Sequence, residues 1–103
     1  MSGFASAGAV LSDSWTTVYE SPNTAAIVLL AQVVSIDTGA EVDVQWVDGT
    51  DEHYLVKGLA IPEGEFASVT DGRLVLPADA SIRARATSSD TAEMTVSALE
   101  DPQ

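Results

Sequence analysis

The chain has 103 residues, and its 16 acidic side chains outnumber the four basic ones, which gives a formal net charge of -12 at pH 7. That length provides for one domain, and the hydrophobic fraction of 46% is typical of a globular protein. So few basic residues argue against a nucleic-acid binder, which needs clustered Lys and Arg, and against an anionic membrane surface as partner. Without cysteine, the chain forms neither disulfides nor thiolate metal sites.

The first fourteen residues are small and weakly apolar. They lack the basic start and the sustained apolar core of a signal peptide, and we expect residues 1–14 to form an extended N-terminal arm. Such an arm could lie over a neighbouring subunit, and its larger apolar side chains are then candidate partner contacts: Phe4, Val10 and Leu11. The expected organisation is this arm, one domain over residues 15–100 and a polar tail at 101–103.

From residue 15 onward, apolar and polar residues alternate, and turn signals recur at the spacing typical of an all-β sandwich or barrel. Strands are predicted over 15–20, 25–36, 41–47, 52–61 with a break at Gly58, 80–86 and 92–99, together with the two arms of a hairpin around residues 71–72. The segment 25–36 is apolar on both alternating faces, as in a strand buried on both sides. No segment has a helical repeat. We therefore predict an antiparallel β-sandwich of seven or eight strands.

The predicted hairpin rests on Asp71-Gly72, a pair that favours a two-residue type I′ turn. This turn would place Val69 opposite Leu74 and Ala67 opposite Leu76. All four side chains would then lie on one face of the hairpin. Turn chemistry and hydrophobic pattern therefore agree.

Alternation also assigns side chains to the core and to solvent. The predicted core-facing positions include Val42, Val44, Trp46, Ile82, Ala84, Ala86, Met94 and Val96. The predicted solvent-facing positions include Glu41, Asp43, Gln45, Arg83 and Arg85.

Catalytic or metal chemistry has little basis in this sequence. His53 is the only histidine, and no nucleophile or third member of a triad accompanies it, so a structural or rim role is favoured and no catalytic residue or cofactor is predicted. The loop Asp48, Asp51 and Glu52 is a weak candidate for calcium. It lacks the spacing of an EF-hand, and a solvated loop without metal is the preferred interpretation.

Two tryptophans and two arginines offer binding surfaces. Trp46 alternates with core positions, whereas Trp15 could cover an open end of the sandwich or anchor a partner. A carbohydrate-binding sandwich that uses Trp15 and the loop 48–52 is a rival interpretation from another class. Arg83 and Arg85 project from one face. Pairing with acids across the sheet is favoured for them over a positive spot that docks an acidic partner.

Three motifs resemble those of small bacteriophage structural proteins. They are Tyr54 to Gly64 (YLVKGLAIPEG), Asp71 to Leu76 (DGRLVL) and Ala78 to Ala84 (ADASIRA). The resemblance covers about residues 16–100. It departs from the group's pattern at Ala78, where Gly is usual, and at the inserted Ala80.

The resemblance implies a non-enzymatic β-sandwich virion component, with a head decoration (cement) protein as the best fit and a neck, tail or fibre protein as the alternative. A decoration protein would be made in the host cytoplasm and would lie on the outer capsid surface of the virion. It would bind the major capsid protein as a homo-oligomer, with a trimer favoured, and its acidic surface would keep it away from nucleic acid. The candidate contacts are then Phe4, Val10, Leu11, Trp15, Arg83 and Arg85.

Overall fold

The structure, a computed structural model, describes residues 3–36, 39–70, 73–87 and 91–100. Their strands are β1 (Gly3–Val10), β2 (Thr16–Glu20), β3 (Ala26–Ser35), β4 (Ala40–Asp48), β5 (Asp51–Ile61), β6 (Phe66–Ser68), β7 (Leu74–Leu76), β8 (Ser81–Ala86) and β9 (Ala92–Glu100). No helix in these ranges has the length and apolar character that a membrane span requires.

The strands form two antiparallel sheets, which confirms the predicted fold class. Sheet A has the order β1-β9-β3-β6, with β7 also paired to β3, and sheet B has the order β2-β8-β4-β5. The chain changes sheet at every connection except the β4–β5 hairpin and the β6–β7 link. This order is that of a jelly roll, in which two four-stranded sheets enclose one core. Here β6 and β7 together occupy a single strand position.

The core lies between the inner faces of the sheets, where small and β-branched side chains alternate with outward-facing residues. Fully or nearly fully buried positions include Val42, Val44, Ile82, Ala84, Ala86, Met94 and Val96, as the alternation predicts. Trp46 packs partly buried against this core. The Tyr19 hydroxyl donates to Glu100 Oε2 at 2.6 Å and so joins β2 of sheet B to β9 of sheet A.

The N-terminal segment differs from the expected arm. Gly3–Val10 pairs along its whole length with β9 and forms an edge strand of sheet A. Three alanines on its inner face (positions 5, 7 and 9) are small enough to pack against the core. Leu11 is fully buried, so its prediction as a partner contact is wrong. With this strand the described residues hold nine strands, one more than the upper figure of the seven or eight expected.

The predicted hairpin around residues 71–72 is wrong in its pairing. β6 and β7 do not pair with each other, because both pair with β3, at Gln32–Val34 and Ala26–Val28 respectively. The ten-residue strand β3 is long enough to pair with both short strands, one after the other along the same edge. The predicted face is correct: Val69 and Leu76 are buried, and Ala67 and Leu74 pack against the core. Asp71 and Gly72 lie outside the described residues.

The two-residue hairpin turn of the described chain lies instead at Gly49-Thr50, between Asp48 and Asp51. Gly49 has a φ of 62°, a left-handed conformation that glycine adopts without steric cost. The loop predicted over residues 48–52 is therefore tighter than expected, because both flanking strands extend into it.

Candidate interaction surfaces

The outer face of sheet B gathers aromatic and basic side chains from β5, from β8 and from the residue that precedes β2. This group, the Trp15 cluster, comprises Trp15, Tyr54, Lys57, Arg83 and Arg85. The guanidinium carbons of Arg83 and Arg85 lie 4.7 and 4.3 Å from the centroid of the Trp15 ring. Tyr54 lies 6.4 Å from Trp15, between ring centroids, and Lys57 Nζ lies 5.2 Å from the Tyr54 centroid. Cation–π attraction therefore connects the arginines to Trp15 and Lys57 to Tyr54, and the contact between the two aromatic rings joins these two groups.

Both arginines also pair with side chains of other strands in sheet B. Arg83 donates from Nη2 to Glu52 Oε2 at 2.8 Å, and from Nε and Nη2 to Gln45 Oε1 at 2.9 and 2.7 Å. Arg85 Nε donates to Asp43 Oδ2 at 2.9 Å. These contacts are the cross-sheet pairing favoured for the two arginines. They also bury Gln45, which is only 3% exposed, so the prediction that it faces solvent is wrong.

Asp43 holds this network to β5. β5 has two register shifts against β4, and at the second of these Gly58 adopts a φ of 67° and donates its N–H to Asp43 Oδ1 at 2.7 Å. Burial raises the pKa of Asp43, but the Gly58 hydrogen bond and Arg85 outweigh it, and the pKa lies below its usual value. The predicted break at Gly58 is thus a bulge within one continuous strand.

The geometry places Trp15, Arg83 and Arg85 together, as three of the predicted contacts. Their contact with a partner stays a prediction. The ring of Trp15 already contacts both guanidinium groups, and both guanidinium groups already bind acids. Trp15, Arg83 and Arg85 therefore satisfy one another and their acidic neighbours within the chain, and these three residues do not present an unpaired positive spot or a vacant aromatic platform.

The remaining candidates from the sequence lie beside the β4–β5 turn. His53 is exposed and stacks on Trp46, with 4.5 Å between ring centroids. Glu52 forms an ion pair with Arg83. Among the described residues, no group of three or more His, Asp or Glu side chains could hold a metal ion.

A second surface, the outer face of sheet A, is not among the surfaces that the sequence predicts. Strand pairing places its residues in four cross-strand rows. The rows are Phe4–Leu99–Ile27–Val75, Ser6–Ser97–Leu30, Gly8–Thr95–Gln32–Ser68 and Val10–Glu93–Val34–Phe66. Glu93 is the only charged residue in these rows.

Large apolar side chains are exposed on the strands of this sheet. Phe4, Phe66 and Val75 are 81%, 66% and 61% exposed. Leu29 and Leu30 are each 39% exposed where β3 shifts register against β9. The signal in the sequence was the two-sided apolar pattern of residues 25–36. It predicts burial on both sides, yet within one chain only the inner face of β3 is covered.

Known structures share this jelly-roll fold with a low sequence identity. One is a chain from a structure described as "Bacillus endospore appendages form a novel family of disulfide-linked pili", with 12% identity, a TM-score of 0.59, and coverage of 100% of this chain and 88% of that one. Another is a chain from the acidic stable capsid structure of Helicobacter pylori bacteriophage KHP30, with 13% identity, a TM-score of 0.60, and coverage of 95% and 85%. No model of a known protein family matches the sequence, and no curated protein does. The likeness establishes a fold that structural proteins of a pilus and of a phage capsid also have.

Proposed function

We propose that this chain is a non-enzymatic structural protein of a phage particle, and specifically a decoration protein that binds the outer surface of the major capsid protein. The observation that carries the proposal is the outer face of sheet A, which exposes large apolar side chains in its first and last cross-strand rows and has one charged residue in its four rows, on a chain of net charge -12. Several large exposed apolar side chains on one face are characteristic of protein interfaces. The fold shared with a chain of a phage capsid structure supports the same class of function.

β3 gives the most specific support for burial of this face in an assembly. In the four cross-strand rows its outward residues are Ile27, Leu30, Gln32 and Val34. Three of these four are apolar, where a sheet that faces water would carry mainly polar side chains. A cover over this face would complete the two-sided burial that the sequence of β3 predicts. The shell is the proposed cover, and the acidic remainder of the molecule would then face solvent and keep copies soluble.

The location is tested by imaging purified particles that contain this protein. We expect density for the jelly roll at regular positions over the capsomers, with the outer face of sheet A towards the shell. Density only at the tail vertex would contradict decoration and would favour a neck, tail or fibre component.

The docking face is tested with two matched threonine variants. Thr95 is exposed at the centre of the sheet A outer face, and Thr17 is exposed on β2, beside the Trp15 cluster. We expect Thr95→Glu to weaken binding to particles stripped of this protein by about tenfold or more, because it buries an unpaired charge, and Thr17→Glu to change it by less than about threefold. The reverse order would show that sheet B docks, through the predicted contacts Trp15, Arg83 and Arg85. Circular dichroism of both variants controls for folding.

A further inference from the structure

The outer edge of β1 lacks the protection that the other sheet edges of the described chain have. Every sheet edge exposes unpaired N–H and C=O groups that can pair with another chain, and natural proteins protect their edges with short strands, bulges, charges or proline. Three edges of this molecule have such protection. β2 has five residues and a register shift, β5 carries charges and two register shifts, and the β6–β7 edge is divided into two three-residue strands.

β1 has none of these features. It runs for eight residues, Gly3–Val10, pairs with β9 without a register shift, and contains neither a charged residue nor a proline. Among the described residues, β1 pairs only with β9, so its other edge is open. We propose that this edge binds the β1 edge of a second copy of the chain, antiparallel, and joins two copies of sheet A into one continuous sheet.

The hydrogen-bonding groups on the open edge can be identified. The N–H of Leu11 donates to the C=O of Ala92 at 2.8 Å, across the β1–β9 pair. Because successive residues point their backbone groups to opposite edges of a strand, the odd-numbered residues of β1 face β9. The groups that face the open edge are therefore those of Phe4, Ser6, Gly8 and Val10.

These four residues determine the register of the pair. Residues that lie opposite each other must project to the same side of the sheet, and all four edge residues find partners only when Phe4 of one copy faces Val10 of the other and Ser6 faces Gly8. Ala7 then lies on the two-fold axis opposite its own copy. The contact is isologous, as most homodimer contacts are.

Side chains and charge favour a second copy as the occupant. In this register Phe4, the most exposed large apolar residue of the described chain, packs beside Val10, which is itself 48% exposed. The apolar row of one copy, from Phe4 to Val75, continues into the row of the other copy that ends at Phe66. Two chains of charge -12 repel each other, and β1 lets them meet through an uncharged segment.

The first test measures the mass of the full chain in solution, by sedimentation over a range of concentrations. We expect a reversible dimer of twice 10.7 kDa. Ser6→Pro removes the N–H of residue 6, which faces the open edge, and leaves the N–H groups that bind β9. We expect this variant to weaken the dimer by about tenfold or more.

Ser68→Pro is the matched control. It changes the same residue type, also preceded by alanine, on the opposite edge of sheet A. There the N–H of Val69 binds the C=O of Ala31, so that of Ser68 faces away from β3. We expect this variant to dimerise like the wild type. Three results would overturn the proposal: equal weakening of the dimer by both variants, a trimer, or a monomer at every concentration. A monomer would leave the open edge of β1 for a strand of another protein.

The second test fixes the register by cross-linking, since the chain has no native cysteine. Residues in a non-hydrogen-bonded antiparallel pair have Cα atoms about 4.5 Å apart, within disulfide range. Ala7→Cys should therefore form a covalent dimer under mild oxidation. In Ala5→Cys the two sulfurs would be offset by four residues, about 13 Å, and should not cross-link. Cross-linking through residue 5 and not residue 7 would refute the proposed pairing.

Discussion

At the scale of single residues, Asp43 connects three parts of sheet B. Its carboxylate accepts the N–H of Gly58 on β5 and the guanidinium of Arg85 on β8. Arg85 in turn contacts Trp15, which precedes β2. The charge of Asp43 therefore contributes to the position of an aromatic side chain that it does not itself touch.

Asp43→Asn tests the contribution of that charge. Asparagine keeps an oxygen for the N–H of Gly58 but loses the ion pair, and we expect the free energy of unfolding at pH 7 to fall by about 0.5–1 kcal/mol. Because the pKa of Asp43 is lowered in the folded state, the stabilisation is present above the usual value of 3.8 and is lost as pH falls through the lower, folded value. Urea unfolding at neutral pH and at several pH values below about 4 should show the difference from wild type shrinking. Asp51→Asn, at the exposed hairpin turn, is the control, and a difference independent of pH would contradict this account.

The face of the sheet to which each side chain projects was largely predictable. The contacts between side chains of different strands were not. Alternation assigned Arg83 and Arg85 to the outer face and Ile82 to the core, because the two-residue period of a strand is a local property. The burial of Gln45 was not predictable in this way. It depends on Arg83 reaching across from β8, a contact between residues 38 positions apart.

At the scale of elements, bulges decide which side chains of β5 meet those of β4. The second bulge requires Gly58 at a φ of 67°, where a Cβ would meet no atom within 4 Å. A substitution there is therefore disfavoured by backbone conformation and not by crowding.

Gly58→Ala measures that conformational cost. We expect it to lower the free energy of unfolding by about 1–2 kcal/mol, the cost of a left-handed conformation for a residue with a Cβ. Gly8→Ala is the matched control, since Gly8 lies in the regular strand β1 and its Cβ would make ordinary contacts at 3.5 and 3.9 Å. There we expect no loss, or a gain of about 0.4–1 kcal/mol from a less flexible unfolded chain. Chemical denaturation of both variants at one low protein concentration checks this, and equal losses would show that the φ of Gly58 is not decisive.

Most strands could be predicted from the sequence, whereas their partners could not. The segments 25–36, 80–86 and 92–99 match β3, β8 and β9 closely, since each has a clear alternation. β1 was missed because glycine and alanine give a weak hydrophobic pattern. The hairpin at residues 71–72 was wrong because turn chemistry is local, while the unpaired edge of β3 that recruits both β6 and β7 exists only in the assembled sheet. The exposed apolar side chains of sheet A could not be predicted for a related reason. An apolar face that is exposed and one that is buried give the same sequence pattern.

At the scale of the whole molecule, charge and size set a further property. A charge of -12 lies on a body with extents of 42 × 26 × 20 Å. At low ionic strength, about 0.01 M, the Debye length of about 30 Å lets carboxylates on opposite sides repel each other. Near 1 M salt it is about 3 Å, so only adjacent groups interact. Unfolding relieves the repulsion by separating the charges, and repulsion therefore lowers the stability of the folded state.

We expect the melting temperature at neutral pH to rise by several degrees between about 0.01 and 1 M NaCl, because screening removes a destabilising repulsion. The same titration near pH 4.1, the isoelectric point, is the internal control, since the net charge there is close to zero and the increase should be much smaller. Ser6→Pro should be used for both series, so that salt acts on folding and not on association between copies. A rise of equal size at both pH values would mean that salt acts through general effects on hydration, and would remove charge repulsion as the cause.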